Sequence, residues 1–332
     1  MQCIFCLEER EPSKEDIFPL ALGGGIITNR VCAKCNSLLG TEVDAALCNY
    51  PGIVAKRSEL RLAGQSGRVP DAFVHLLGAG GVLASDPTHK VSVRLNRKTG
   101  QPEIKLLPKK TVLPDGGLQM AMEPAQAKRK LPIIIQRHRK RSGLPPLTPE
   151  ELALQAEKAW SEGRLENIEN PSVIHKIPVD FRSARRGIFK IAYELAAMWL
   201  GDEYVVGDPM ANLLRDVILG RKEEQDAGLR GTIEFSSGVI SVLAPWAHEK
   251  NCHVALYSPA ADTIAVALKI FDVVEAVIAV SVGTLGKYAA GPLDPERFRF
   301  VYINPATGEI RESSLPEAFG RAWLAQEAVS SN

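Results

Sequence analysis

An α+β fold in three consecutive segments is what this sequence predicts, and three observations carry the prediction. Two Cys-x-x-Cys pairs, Cys3/Cys6 and Cys32/Cys35, stand 25 residues apart near the N-terminus. A basic stretch follows over residues 51–145, with 18 Lys/Arg against 6 Asp/Glu in a chain whose net charge is only +1. Beyond it, helical periodicity over about 149–220 gives way to strand-type alternation over about 232–303. The expected boundaries are therefore a metal-clipped module at 1–50, a basic β-containing region at 51–145, and an α+β C-terminal domain at 146–332.

The cysteine pairs are the strongest of the three. A two-residue spacer lets both thiolates of a pair turn onto one ion, and two pairs supply the four ligands of a structural zinc site. Cys48 and Cys252 are left over and read as small buried hydrophobes. This cysteine usage fits a reducing, cytoplasmic setting, and the first pair begins too early to leave room for a secretory signal. No run of eighteen or more apolar residues exists, so a membrane span is not expected.

Between the pairs lie Glu15-Asp16-Ile17-Phe18-Pro19, the glycine run Gly23-Gly24-Gly25, and Asn29, with Asn36 directly behind Cys35. This arrangement resembles the HNH endonuclease family, in the form whose ββα-metal module is clipped by a four-cysteine zinc. The resemblance covers about the first 48 residues in detail, and more loosely a helical stretch containing Lys190-Ile191-Ala192-Tyr193-Glu194. It implies that Glu15 and Asn36 hold a catalytic Mg2+ or Mn2+, that the glycine run makes the tight turn of a hairpin, and that Asn29 orients the general base. One position departs from the family: Asp16 stands where the family has its water-activating His. An ordinary aspartate is a weak base toward water at pH 7. Asp16 is therefore open to three readings: recruiter of a second cation, inactivating change, or engineered substitution.

The module itself carries 4 Lys/Arg against 7 Asp/Glu, so a polyanion needs a basic neighbour to bind. The middle region offers one. Strands at 90–95 and 102–107 flank a turn holding Arg97 and Lys98, and Pro114–Gly117 makes a second turn leading to a further short strand. The densest run, 128–141, has seven cations in fourteen residues: Lys128, Arg129, Lys130, Arg137, Arg139, Lys140 and Arg141. They surround an apolar strand or helix and read as phosphate contacts. His138 among them is a surface residue on this reading.

Thr148-Pro149-Glu150-Glu151 is a helix start with a capping box. Further helices are expected over about 183–200, with Gly201 closing it, and over 208–219. Arg182, Arg185, Arg186 and Lys190 near the start of the first are readable either as phosphate contacts or as a solvated helix end. Strands are expected at 232–235, 238–243, 253–257, 263–271, 273–282 and 298–303, with part of 263–282 also readable as helix, and a last helix near 317–329. His248 and His253 flank Cys252 without the spacing of a second metal site.

These readings converge on metal-dependent hydrolysis of DNA phosphodiester bonds, with RNA and oligomeric state left open. The alternative is a zinc-bearing DNA-binding protein that keeps the scaffold without cutting. A zinc-ribbon adaptor that binds protein is the third.

Overall fold

The computed structural model describes residues 1–77, 80–96, 98–164, 168, 171–177, 179–235, 240–247, 249–260, 262–283 and 299–330. The chain divides into two compact units, Met1–Ala72 with Val179–Asn332, and Phe73–Pro178. The boundaries thus differ from three consecutive segments. The helices and sheet after residue 179 pack with the cysteine module, because the module's short hairpin and helix cannot by themselves cover the apolar side chains they carry.

In the first unit, β1 (Pro12–Asp16) and β2 (Ile27–Cys32) pair antiparallel. The register slips between Ser13 and Glu15, leaving one extra residue on β2 between Thr28 and Val31. The connection is longer than the tight glycine turn expected. It buries Ile17 and Phe18, makes a short 3-10 turn at Leu20–Leu22, and leaves through Gly23 at φ +80°. Gly24 is required for a different reason: a Cβ there would sit 1.8 Å from the Phe18 carbonyl oxygen. Helix α1 (Ala33–Leu38) follows β2 at once and passes through a π-turn at Leu39–Asp44 into Ala45–Cys48. Gly40 falls in that π-turn.

Helix α2 (Phe181–Leu200) is the spine of the unit. Asp180 caps it by accepting from Ser183 N–H, and fourteen of its twenty residues are buried. One side packs on the module, where Gly187 admits Leu47; a Cβ at 187 would come 2.7 Å from the Leu47 Cβ. The other side, with the helix Pro209–Ile218, packs on an antiparallel sheet. Its strands are β3 (Gly231–Glu234), β4 (His253–Ala260), β5 (Thr263–Ile270), β6 (Val274–Val282), β7 (Phe300–Asn304) and β8 (Glu309–Ser313), in the order β8-β7-β4-β5-β6-β3. Ile264, Val266, Leu268 and Ile270 face α2, while Ala267 joins Val254, Leu256, Phe300 and Tyr302 under the helix Leu315–Ser330. Both faces of β5 are covered, so residues 264–268 are an apolar run without alternation, and the buried Lys269 that follows donates to the Trp246 and Glu249 carbonyls. Residues 263–282 are strand wherever they form an element, not helix. The strand expected at 238–243 is corrected: residues 236–239 lie outside the described set, and Ser241–Trp246 is a 3-10 helix. Pro245 cannot donate to a ladder, and Leu243 and Trp246 are buried beneath the sheet.

His253 is a core residue. Its Nε2 lies 2.8 Å from the Leu22 carbonyl oxygen, and Phe271 N–H donates to its Nδ1 at 3.3 Å. Burial pushes its pKa down to about 4. His248 lies outside the described residues. Cys48 and Cys252 are buried free thiols.

Among the described residues, the second unit is built from antiparallel strands, a short helix at Ala72–Leu77 and two longer helices. Strands Lys90–Leu95 and Pro102–Leu106 pair, as do Lys109–Val112 and Leu118–Ala121 around the Pro114–Gly117 turn. The basic run is part of a helix, Pro124–Arg141, with Pro132 inside it. The second helix, Pro149–Ser161, carries the expected capping box: Thr148 Oγ1 accepts from Glu151 N–H at 3.3 Å, and Glu151 Oε2 accepts from Thr148 N–H at 2.9 Å. No described helix is long and apolar enough to cross a membrane.

Candidate metal centre and the charge cluster behind it

Cys3 and Cys6 lie on the turn before β1, Cys32 ends β2, and Cys35 sits in the first turn of α1. Their four Sγ atoms all lie within 4.8 Å of one another, with Cys6 and Cys32 Sγ 3.9 Å apart. A tetrahedral zinc with Zn–S bonds of about 2.3 Å needs sulfurs about 3.8 Å apart, so the donor set fits zinc. The thiols do not share their protons evenly. Burial opposes ionisation of Cys32, but hydrogen bonds from the Cys35 backbone and the neighbouring thiols outweigh it and draw its pKa down to about 7. Burial pushes Cys3 and Cys35 the other way.

A second cluster sits behind β1. Glu15 points inward and is 3% exposed, whereas Asp16 is half-buried. Lys190 of α2, fully buried, places its Nζ 2.6 Å from Glu15 Oε1, 3.2 Å from Glu194 Oε2 and 3.5 Å from Asp44 Oδ1. It also donates to the backbone carbonyls of Asp16 at 2.6 Å and Ile17 at 3.3 Å. Three carboxylates thus face one ammonium. Burial raises the pKa of Glu15, Asp44 and, most of all, Glu194, and Lys190 offsets only part of that. Burial alone would lower Lys190, but the charges of Glu194, Asp44 and Glu15 raise it. Burial also raises Asp16, against the pull of Lys190.

Of the two remaining residues of the expected centre, Asn36 has partners for its amide nitrogen. Asn36 Nδ2 donates to Ser13 Oγ at 3.0 Å and to the Lys14 carbonyl at 2.6 Å, tying α1 to β1. Asn29 is exposed on β2 beside the register slip, and among the described residues it makes no hydrogen bond to Asp16. A divalent cation that binds phosphate needs open carboxylate oxygens reachable from solvent. With Glu15 buried against Lys190, the placement of these residues does not fit one.

Glu194 and Asp44 were not among the site residues read from the sequence, and Lys190, readable there as a phosphate contact or part of a solvated helix end, is instead fully buried. Lys190 and Glu194 carried a signal: a Lys and a Glu four apart on the apolar face of a helix have to be paired inside the protein. Tyr193, between them, donates its hydroxyl to the Ile4 carbonyl at 2.5 Å and fastens α2 to the first cysteine turn. The arginines readable as phosphate contacts or as a solvated helix end have partners within the chain, Arg182 at the exposed surface and Arg186 half-buried. Arg182 pairs with Glu223, Arg185 with Glu224, and Arg186 donates to the Ile218 carbonyl.

The basic residues of the second unit are placed unequally. Arg129, Arg137, Lys140 and Arg141 are exposed, and the first three recur at helical spacing on one face. Lys128 lies over the Trp160 ring at 5.2 Å, Lys130 donates to Gln126 Oε1, and Arg139 donates to the Pro145 carbonyl. Lys98 is exposed in its turn, and Arg97 lies outside the described residues. His138 lies 3.1 Å by Nε2 from the Gly116 carbonyl oxygen.

A hairpin and helix held by four converging cysteines define a zinc-clipped ββα-metal module. Residues 3–50 match the family model described as HNH endonuclease. The match ends at residue 50. No curated protein and no solved structure matches the chain.

Proposed function

We propose that the chain binds DNA on an HNH-family scaffold and, in the geometry described, does so without cutting it. The observation that carries this reading is the burial of Glu15 in its ion pair with Lys190. That carboxylate is the one on which a phosphate-binding cation would rest. Phosphate contact falls to the exposed cations of the helix Pro124–Arg141, above all Arg129, Arg137 and Lys140. Contacts of this kind neutralise a backbone without reading its sequence.

Hydrolysis of DNA phosphodiester bonds is the second reading, and one observation favours it. Asp16 is half-buried, and its pKa is raised, which makes it a better proton acceptor than an ordinary aspartate. Plasmid cleavage with Mg2+ or Mn2+, run on this chain and on Asp16→His and paired with a DNA-binding titration, separates the readings. Binding without cutting in the natural chain supports the first. Cutting that is lost in Asp16→Asn overturns it in favour of the second.

A further inference from the structure

Five oxygens lie within 3.5 Å of one nitrogen at the heart of the first unit: Glu15 Oε1, Glu194 Oε2, Asp44 Oδ1 and the carbonyls of Asp16 and Ile17. An ammonium has three N–H donors, so this shell holds more acceptors than hydrogen bonds can use. All-oxygen shells of this number, rich in carboxylate, are the surroundings that hard cations take. The shell is also assembled from parts remote in sequence. β1 supplies Glu15, the π-turn after α1 supplies Asp44, and α2 supplies both Lys190 and Glu194.

We propose that Lys190 is a resident cation that has taken the place of a removable one, so that the module's inward carboxylate is held by α2 rather than by a divalent metal. An ammonium that is part of the chain cannot leave with dilution or chelation. It also neutralises Glu15 from the buried side, where no phosphate can reach. Lys190 is accordingly a positioning residue. It holds Glu15 inward and grips the Asp16 carbonyl, and neighbouring side chains on a strand point to opposite faces, so the Asp16 side chain is left toward solvent. The inference rests on the HNH-family reading of the module but not on DNA binding, and its test uses no DNA.

The test is Mn2+ uptake by the zinc-loaded full chain, followed by loss of the free-ion EPR signal. The natural chain and Glu15→Gln are expected to give superimposable titrations, with Glu15→Gln melting at lower temperature. Uptake of one Mn2+ by the natural chain that Glu15→Gln abolishes would overturn the proposal, and this comparison leaves Lys190 untouched. A second arm uses Lys190→Met. The expected result is at least a tenfold gain in Mn2+ affinity, lost again in the Lys190→Met/Glu15→Gln double variant. A folded Lys190→Met chain that still takes up no Mn2+ counts against the proposal, because something other than the ammonium then excludes the ion. Failure of DNA binding in a separate assay leaves these outcomes unchanged.

Discussion

Glu194 is fully buried and shares one ammonium with two other carboxylates, and burial raises its pKa well above the usual carboxylate value. A folded-state carboxyl raised above its unfolded value makes the folded chain bind the extra proton, so stability falls as pH rises through the window between the two. Glu194→Gln supplies the neutral form at every pH. Urea unfolding over a pH series rising from the ordinary carboxylate range is expected to show the variant gaining on the natural chain as pH rises. A parallel pair of curves would mean that Glu194 is ionised in the fold. At the zinc site the sign is simpler. Cys32→Ser removes one of four ligands from a site of a kind worth about 10 kcal/mol or more of folding free energy. It is expected to lose bound zinc and unfold the hairpin, as read by metal analysis and a thermal melt. A variant with full zinc content and an unchanged melt would refute the four-cysteine site.

Among the elements, α2 shows why some of the architecture could be read from the sequence and some could not. Its length, its periodicity and Gly201 beyond its end are local signals, and the helix appears where they put it. The capping box at Thr148 and the hairpin around Asn96–Gly100 are local in the same way. The cysteines were legible because metal spacing is a local geometric code. The i,i+4 pair Lys190 and Glu194 carried a local signal, but the partners Glu15 and Asp44 did not, because they are far away in sequence. Strand 238–243 failed for a related reason: β-type composition cannot tell a ladder from a 3-10 turn packed beneath one. Gly187 makes the closeness of α2 to the module testable. In an exposed helix Gly→Ala is stabilising by up to about 1 kcal/mol. Here the new methyl meets Leu47, and the expected result is a loss of about 1–3 kcal/mol by denaturant titration. A stabilised variant would show that the two helices are not in contact.

For the whole molecule, the near-zero net charge conceals segregation: a basic stretch at 51–145 within an otherwise acidic chain. If the helix Pro124–Arg141 is what meets DNA, affinity depends on counterion release and falls steeply with salt. Replacing Arg129, Arg137 and Lys140 together by Gln is expected to reduce the slope of log affinity against log salt by about 2–3, in line with one released counterion per lost phosphate contact. Fluorescence anisotropy on an oligonucleotide measures it. An unchanged slope would move the contact surface elsewhere.

The bonds that complete the N-terminal module span great lengths of chain: 174 residues from Lys190 to Asp16 and 189 from Tyr193 to Ile4. Closing loops of that size is slow, because the entropy is lost before any contact repays it. A chain emerging from the ribosome therefore exposes its cysteines, and can capture zinc, well before α2 has been made. During that interval Glu15 has no ammonium to meet and remains hydrated. A zinc bound during that interval would clip the hairpin before α2 is there to lock it.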